Sequence, residues 1–316
     1  MVAAWGPLPF TPYLRPMPWG GQRLASWVGS HHWPIHEPVG EVWLLADHPH
    51  HSSVVASGPW AGRSLRELMV EHGPELIGRR GDRFPLLFKL LDARENLSIQ
   101  VHPDDELART WAPGEGGKTE AWVVLEADPA AHILLGLKPG VDHAVLKREL
   151  ATGTLPLCLA RYEPRPGQCY FVPAGTVHAL GGGTAVFEVQ QTSDATFRLY
   201  DWGRVDAQGR PRALHLEAGL ACIRTQPEGA GLQKPQPLDP GLEQLVASRF
   251  FQLRRWTGPL SAEAAGPAVW FAVTGSARLG DTPLSRGTLL LLPAAAPPQP
   301  LHLEAETILL ETRWES

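Results

Sequence analysis

Polar and apolar positions alternate most informatively over Ser98-Ile99-Gln100-Val101-His102, where a strand puts Ser98, Gln100 and His102 on one face and Ile99 and Val101 on the other. Apolar runs of strand length recur at 39–46, 86–92, 121–127, 133–137 and 169–173, punctuated by Gly, Pro, Asn and Asp. Within 184–190 Phe187 and Val189 share one face while Glu188 and Gln190 share the other, so a second strand presents polar groups to one side. The polar Ala93-Arg94-Glu95-Asn96 stretch predicts a turn joining 86–92 to 97–102 as a hairpin. Helical signals are few. Ser64 with Glu67 three residues on predicts a capping box ahead of Leu65-Arg66-Glu67-Leu68, with Gly73-Pro74 ending or kinking that helix. Val141, Val145, Leu146 and Leu150 share one helical face.

The Gly-, Pro- and Gln-rich stretch 226–242 has little to bury and reads as a linker between a first domain, 1–225, and a C-terminal domain, 243–316. Strand-like runs at 268–273, 288–292 and 308–311 make the second part β as well. Gly167-Gln168-Cys169-Tyr170-Phe171-Val172-Pro173 and Gly287-Thr288-Leu289-Leu290-Leu291-Leu292-Pro293 share a layout of Gly, five residues and Pro. Five residues past each proline stand His178 in the first copy and Pro298 in the second. Two copies of one barrel unit are expected from this, the C-terminal one structural and without metal ligands. With 32 glycines and 31 prolines among 316 residues, many short strands and tight turns fit better than helices, and the expected class is all-β.

A formal charge of -5 with dispersed Lys and Arg excludes a basic footprint, so no nucleic-acid partner is expected. Cys158, Cys169 and Cys222 are odd in number and widely spaced, which gives neither a disulfide framework nor a CxxC zinc site and suggests reduced thiols. No charged start followed by an apolar stretch opens the chain and no long apolar run follows, so a soluble cytoplasmic protein without a membrane partner is expected.

The chemistry concentrates on a few side chains. Gln100 and His102 on one strand, Glu120 opening the next run and His178 entering a third could converge on one divalent metal, since zinc accepts imidazole nitrogen and carboxylate oxygen and a catalytic site keeps a position open. The alternative is that each His satisfies a local hydrogen bond. Lys118, two residues before Glu120, would share its strand face, or be an ordinary solvated lysine. Arg198 could hold phosphate or a developing oxyanion, or pair with Asp194 or Asp201 at the surface. His31, His32 and His36, and His48, His50 and His51 around Pro49, read as surface loops and turns rather than ligands.

Gly40-Glu41-Val42-Trp43, Gly81-Asp82-Arg83-Phe84-Pro85, Gln100-Val101-His102-Pro103-Asp104-Asp105, Gly117-Lys118-Thr119-Glu120, Val172-Pro173-Ala174-Gly175-Thr176-Val177-His178-Ala179 and Gln191-Thr192-Ser193-Asp194-Ala195-Thr196-Phe197-Arg198 follow one another in the order of a family's motifs. Together they resemble the type I mannose-6-phosphate isomerases, especially the short bacterial form, from Trp19 through Asp201. Longer members insert a helical domain between the glutamate and the second histidine; the 57 residues between Glu120 and His178 leave no room for it. After Gln226 no segment aligns with the family.

The resemblance implies a cupin-type jelly roll with a few peripheral helices and a second, smaller C-terminal β domain. It implies one Zn2+ per chain held by His102, Glu120 and His178, with Gln100 a less secure fourth ligand, and a small phosphorylated sugar as substrate. Arg198 takes the family's active-site arginine position, and Lys118, Glu188 and Asp194 fall near the substrate; Ser98, on the polar strand face, is a further substrate-binding candidate from its position alone. The implied reaction is reversible interconversion of mannose 6-phosphate and fructose 6-phosphate through an enediol, with Glu188 the candidate base and Lys118 and Arg198 the candidate cations. Competing readings are another metal-dependent cupin enzyme, an iron oxygenase or sugar-phosphate epimerase, and a carbohydrate sensor without catalysis.

Overall fold

A computed structural model describes residues 4–29, 33, 37–205 and 208–315; His31, His32 and His36 lie outside the described residues. Its architecture follows from burial on two faces. Leu86–Ala93 buries all eight of its residues, which requires cover on both sides of its sheet. One side is a barrel interior and the other a second barrel.

In the first barrel, one sheet runs Cys169–Val172, Glu120–Ala127, Thr184–Gln191, Leu86–Ala93, and the facing sheet runs Leu159–Tyr162, Ile133–Leu137, His178–Leu180, Ile99–Val101. Numbered by chain order, both sheets read third, second, fourth, first. The C-terminal half repeats that order in Leu289–Leu292, Ala268–Thr274, Ile308–Arg313, Gln252–Thr257 and in Thr282–Ser285, Ser276–Leu279, Gln299–Leu303, Leu260–Ala264. All these pairs are antiparallel, so each half is a jelly roll of two facing sheets, the cupin fold. The Gly-strand-Pro repeat read from the sequence occupies the same place in both.

The two barrels press their larger sheets together. Phe187 and Val189 of the first and Val269, Phe271 and Leu291 of the second enter one core, with Phe187 and Phe271 stacked at 4.5 Å between ring centroids. Each such ring, fully buried, stabilises the fold by roughly 1.5–3 kcal/mol. Leu8–Pro9 crosses from the first half to pair with Leu289–Leu292, tying the halves by backbone as well.

The alternate positions face inward, and here the barrels differ. The second is filled mainly by apolar side chains including Trp270, Leu290 and Leu309, with Glu311 buried among them and held by Trp256 Nε1 at 2.9 Å. Ala268 stands opposite Leu292 there, where Glu120 stands opposite Val172 in the first. The first barrel keeps Glu120, Glu188 and Gln190 buried on its inner face.

The strands at 86–93 and 99–101 are not a hairpin: they lie in opposite sheets, because the amides of Arg94 and Glu95 both bond to Trp19 O and carry the chain across the barrel end. The segment 226–242 carries two short strands, Gly231–Leu232 against Cys169–Val172 and Gln236–Asp239 against Leu242–Ala247. Helix Leu65–Ile77 has the full capping box between Ser64 and Glu67; Pro74 kinks it at His72, and Gly78, in the left-handed region, caps it.

Candidate active site

The inner polar residues meet near one end of the first barrel. His178 faces Gln100 across an antiparallel pair, while Glu120 begins its strand opposite Val172 and Gln190. Two glycines make this approach possible. Gly175, at φ 87°, turns the chain after Pro173 so that His178 enters the sheet, and a Cβ on Gly117 would lie 2.5 Å from the Asp105 amide.

His102 Nε2 lies 3.5 Å from Glu120 Oε2 and His178 Nε2 lies 3.4 Å from Glu120 Oε1. The other ring nitrogens are committed: His102 Nδ1 donates to Ala195 O at 2.8 Å and His178 Nδ1 to Thr176 O at 2.9 Å. Both Nε2 lone pairs therefore point at the shared centre, the arrangement that orients imidazoles for a metal. Burial first, then the Lys118 charge, holds His102 well below the usual histidine range; burial lowers His178 to about 4 despite its backbone hydrogen bond. Both rings are neutral at pH 7, as ligands must be.

Glu120 is fully buried, and neither carboxylate oxygen has a hydrogen-bond partner. Lys118 Nζ stands 2.9 Å from Oε2 in an ion pair outside hydrogen-bonding angles, and 3.0 Å from His102 Nε2. A buried carboxylate with unsatisfied oxygens is costly. A cation at the centre of these donors relieves that, so the residues fit a metal. Gln100 Nε2 lies 3.5 and 3.3 Å from the two Nε2 atoms while its Oε1 accepts from Ser98 Oγ at 3.2 Å. Turning the amide presents Oε1 to the centre and Nε2 to Ser98, whose hydroxyl accepts as readily as it donates.

Beside this cluster opens a cavity of about 290 Å³, at the small end for a ligand site. Ser98, Gln100, Lys118, His178, Glu188, Asp194 and Arg198 line it; His102 and Glu120 sit behind the wall. Its charged lining is five cations to three carboxylates, in a chain that is net acidic, which favours an anion. Glu188 is pinned: Trp122 Nε1 donates to Oε2 at 2.8 Å and Lys89 Nζ stands 3.4 Å from Oε1. The Asp194 amide donates to Glu115 Oε2 at 3.0 Å. Burial alone would raise the Asp194 carboxyl, but Lys89, Arg15 and Lys118 hold it below the usual range. Arg198 pairs with neither acid named above: Asp201 is taken by Arg204 and Arg212, and Asp194 by Arg15. Arg198 Nη1 donates to Ala213 O at 2.9 Å, and its buried Nε has no partner.

Lys89, Arg15, Glu41, Trp122 and Arg212 also line the cavity or hold its groups, and the sequence reading passed over them. Lys89 left a signal, a lone cation inside the apolar run Leu86-Leu87-Phe88-Lys89-Leu90-Leu91. Glu41 left the same signal beside Val42-Trp43-Leu44. Arg212, in a polar loop, left none.

Residues 8–131 match the family model for the phosphomannose isomerase type I catalytic domain. The chain is 38% identical over 301 residues to the mannose-6-phosphate isomerase ManA of Bacillus subtilis, covering 91% of this chain and 93% of that protein. It is 38% identical over 291 residues to the mannose-6-phosphate isomerase of Streptococcus mutans, covering 87% and 88%. The crystal structure of the mannose 6-phosphate isomerase from Bacillus subtilis superposes with a TM-score of 0.87 at 34% identity, over 97% of this chain and 99% of that one. The likeness thus continues past Gln226, where no motif was legible.

Proposed function

This chain belongs to the type I phosphomannose isomerase family, and from that premise we propose how its pocket divides the work of interconverting mannose 6-phosphate and fructose 6-phosphate. It is an aldose–ketose isomerase: a proton leaves one of the carbons C1 and C2 of the open-chain sugar and returns to the other, through an enediol.

His102, Glu120 and His178 hold one zinc ion per chain, with Gln100 as a further oxygen donor. When bound, the ion supplies Lewis acidity at the sugar oxygens. Lys118, pinned between Glu120 and His102, and Lys89 place fixed positive charge where the enediol oxygens become negative. Glu188 is the proton carrier. Trp122 fixes one of its oxygens while the other, paired with Lys89 but without a hydrogen bond, takes the C–H proton and returns it one carbon along. Arg198 and Arg212, in the same lining, hold the phosphate, Ser98 a sugar hydroxyl, and Asp194 sets the charge balance of the cations it faces. The observation that carries this reading is the pair of neutral buried imidazoles aimed at an unsatisfied buried carboxylate, beside a cation-rich cavity.

Residues 1–225 form the catalytic unit and 243–316 a structural barrel, whose interior is filled and whose Ala268 and Pro298 stand where ligands would be. A cytoplasmic setting is supported by three buried free cysteines. Among the described residues no helix is long and apolar enough to cross a membrane.

The test is a coupled assay of fructose 6-phosphate formation with and without chelator, on wild type and Arg198→Ala. Activity that needs the ion, and an Arg198→Ala protein that keeps its zinc but loses turnover, are expected. Chelator-insensitive activity, or zinc lost with Arg198, would overturn the assignment.

A further inference from the structure

We propose a second divalent-cation site, outside the sugar pocket, formed by His48, His50 and Glu115. It uses the donor set of the first centre, two imidazoles and a carboxylate, with one ligand atom from each residue within 4.8 Å of the others. The elements that build it are distant in sequence. Asp47–His48 and His51–Ser52 close a tight antiparallel turn that presents His50 at its tip, and the loop after helix Asp105–Trp111 brings Glu115 against it.

The three side chains are unequally fixed, as an accessible site requires. His48 is 3% exposed, its ring edge-on to Trp43 at 5.7 Å, and its Nε2 donates to Glu115 Oε1 at 3.0 Å. Glu115 commits its other oxygen to the Asp194 amide, leaving Oε1 for a ligand. His50 is exposed, and no hydrogen bond among the described residues engages its ring nitrogens. A purely structural His48–Glu115 pair, with the His50 amide on His48 Nδ1, accounts for the first two residues and leaves the His50 ring nitrogens without a role.

Metal binding takes the Nε2 lone pair of His48, so any ring proton lies on Nδ1 in the bound form, giving up the acceptor contact that the His50 amide makes with Nδ1 at 3.3 Å. The ion takes the place of the Nε2 proton between His48 and Glu115 Oε1, and the His50 ring, 5.0 Å from that of His48, closes on it. Imidazole donors select Zn2+, Co2+ or Ni2+ over Mg2+ and Ca2+. Loss of the amide contact and exposure of one ligand make this site weaker than the buried centre.

Cobalt is the probe, added to full-length protein already carrying its tightly held ion and followed by d–d absorption and calorimetry. Wild type is expected to take up one further Co2+ per chain. His50→Ala, an exposed substitution, should weaken that uptake at least tenfold while leaving the tight ion in place. Glu120→Gln should lose the tight ion and keep the His50-dependent one, so failure of the catalytic assignment reads differently from failure of this one. No further equivalent in wild type, or one unchanged in His50→Ala, would overturn the proposal.

Discussion

Replacing Lys89 by Met removes the one cation buried within strand Leu86–Ala93, at 3% exposure, and strands the carboxylates it faces. Glu188 Oε1 is 3.4 Å from Nζ and Glu41 Oε2 is 3.9 Å away. Burial alone would lower the lysine's pKa, yet Glu41, Glu188, Asp194 and Glu120 together drive it above its ordinary 10.5. A folded-state pKa above the unfolded one means a contribution complete below the ordinary lysine value and lost only as pH rises through the folded one, so pH 7 sees all of it. Coulomb's law at an effective dielectric of 20 puts the Glu188 interaction near 5 kcal/mol. Breaking a buried pair on one side costs about 3–5 kcal/mol. Glu41 retains Arg15 at 3.0 Å, so most of the loss is assigned to Glu188. Lys89→Met should therefore lose about 3–5 kcal/mol in denaturant unfolding followed by tryptophan fluorescence. Lys89→Met with Glu188→Gln should recover about 2 kcal/mol or more, because the amide still accepts from Trp122 and carries no stranded charge. A single variant within about 0.5 kcal/mol of wild type, or no recovery in the double, would refute this electrostatic account.

Arg212→Met should raise KM for the phosphorylated sugar by about 10- to 100-fold, the worth of one or two charged hydrogen bonds, with kcat nearly unchanged; a fall in kcat alone would remove Arg212 from the phosphate site. Ser64→Ala loses the hydroxyl half of the capping box on helix Leu65–Ile77, while the residue-64 amide keeps its bond to Glu67, and costs about 1 kcal/mol in a thermal melt; an unchanged melt would contradict that role. In metal-free protein His178 has a folded pKa of about 4 against 6.5 unfolded, so the unfolded chain binds its proton first and stability falls as pH drops from 6.5 to 4. Loss on the order of 3 kcal/mol across that window is expected from this residue, and His178→Gln should flatten the slope.

What the sequence disclosed was local, and what it hid was not. Alternation over Ser98 to His102 depends only on neighbours in the chain, and so does the Gly-strand-Pro spacing that marks the second barrel. The capping box of Ser64 and Glu67 lies within one helical turn. The mistaken hairpin at 86–102 had the pattern of one, because nothing in Ala93-Arg94-Glu95-Asn96 records that Trp19, more than seventy residues earlier, receives its amides. Lys89 was legible in principle as a charge inside an apolar strand. Arg212 was not, since its place comes from Asp201 and a loop closed by tertiary contacts.

Metal content of freshly purified protein, measured beside isomerase rate in wild type and Glu120→Gln, bears most directly on the shared centre. One tightly held ion per chain in wild type is expected, with ion and rate lost together in the variant while circular dichroism stays unchanged. A Glu120→Gln protein that keeps both its tight ion and its rate would contradict a catalytic metal between His102, Glu120 and His178.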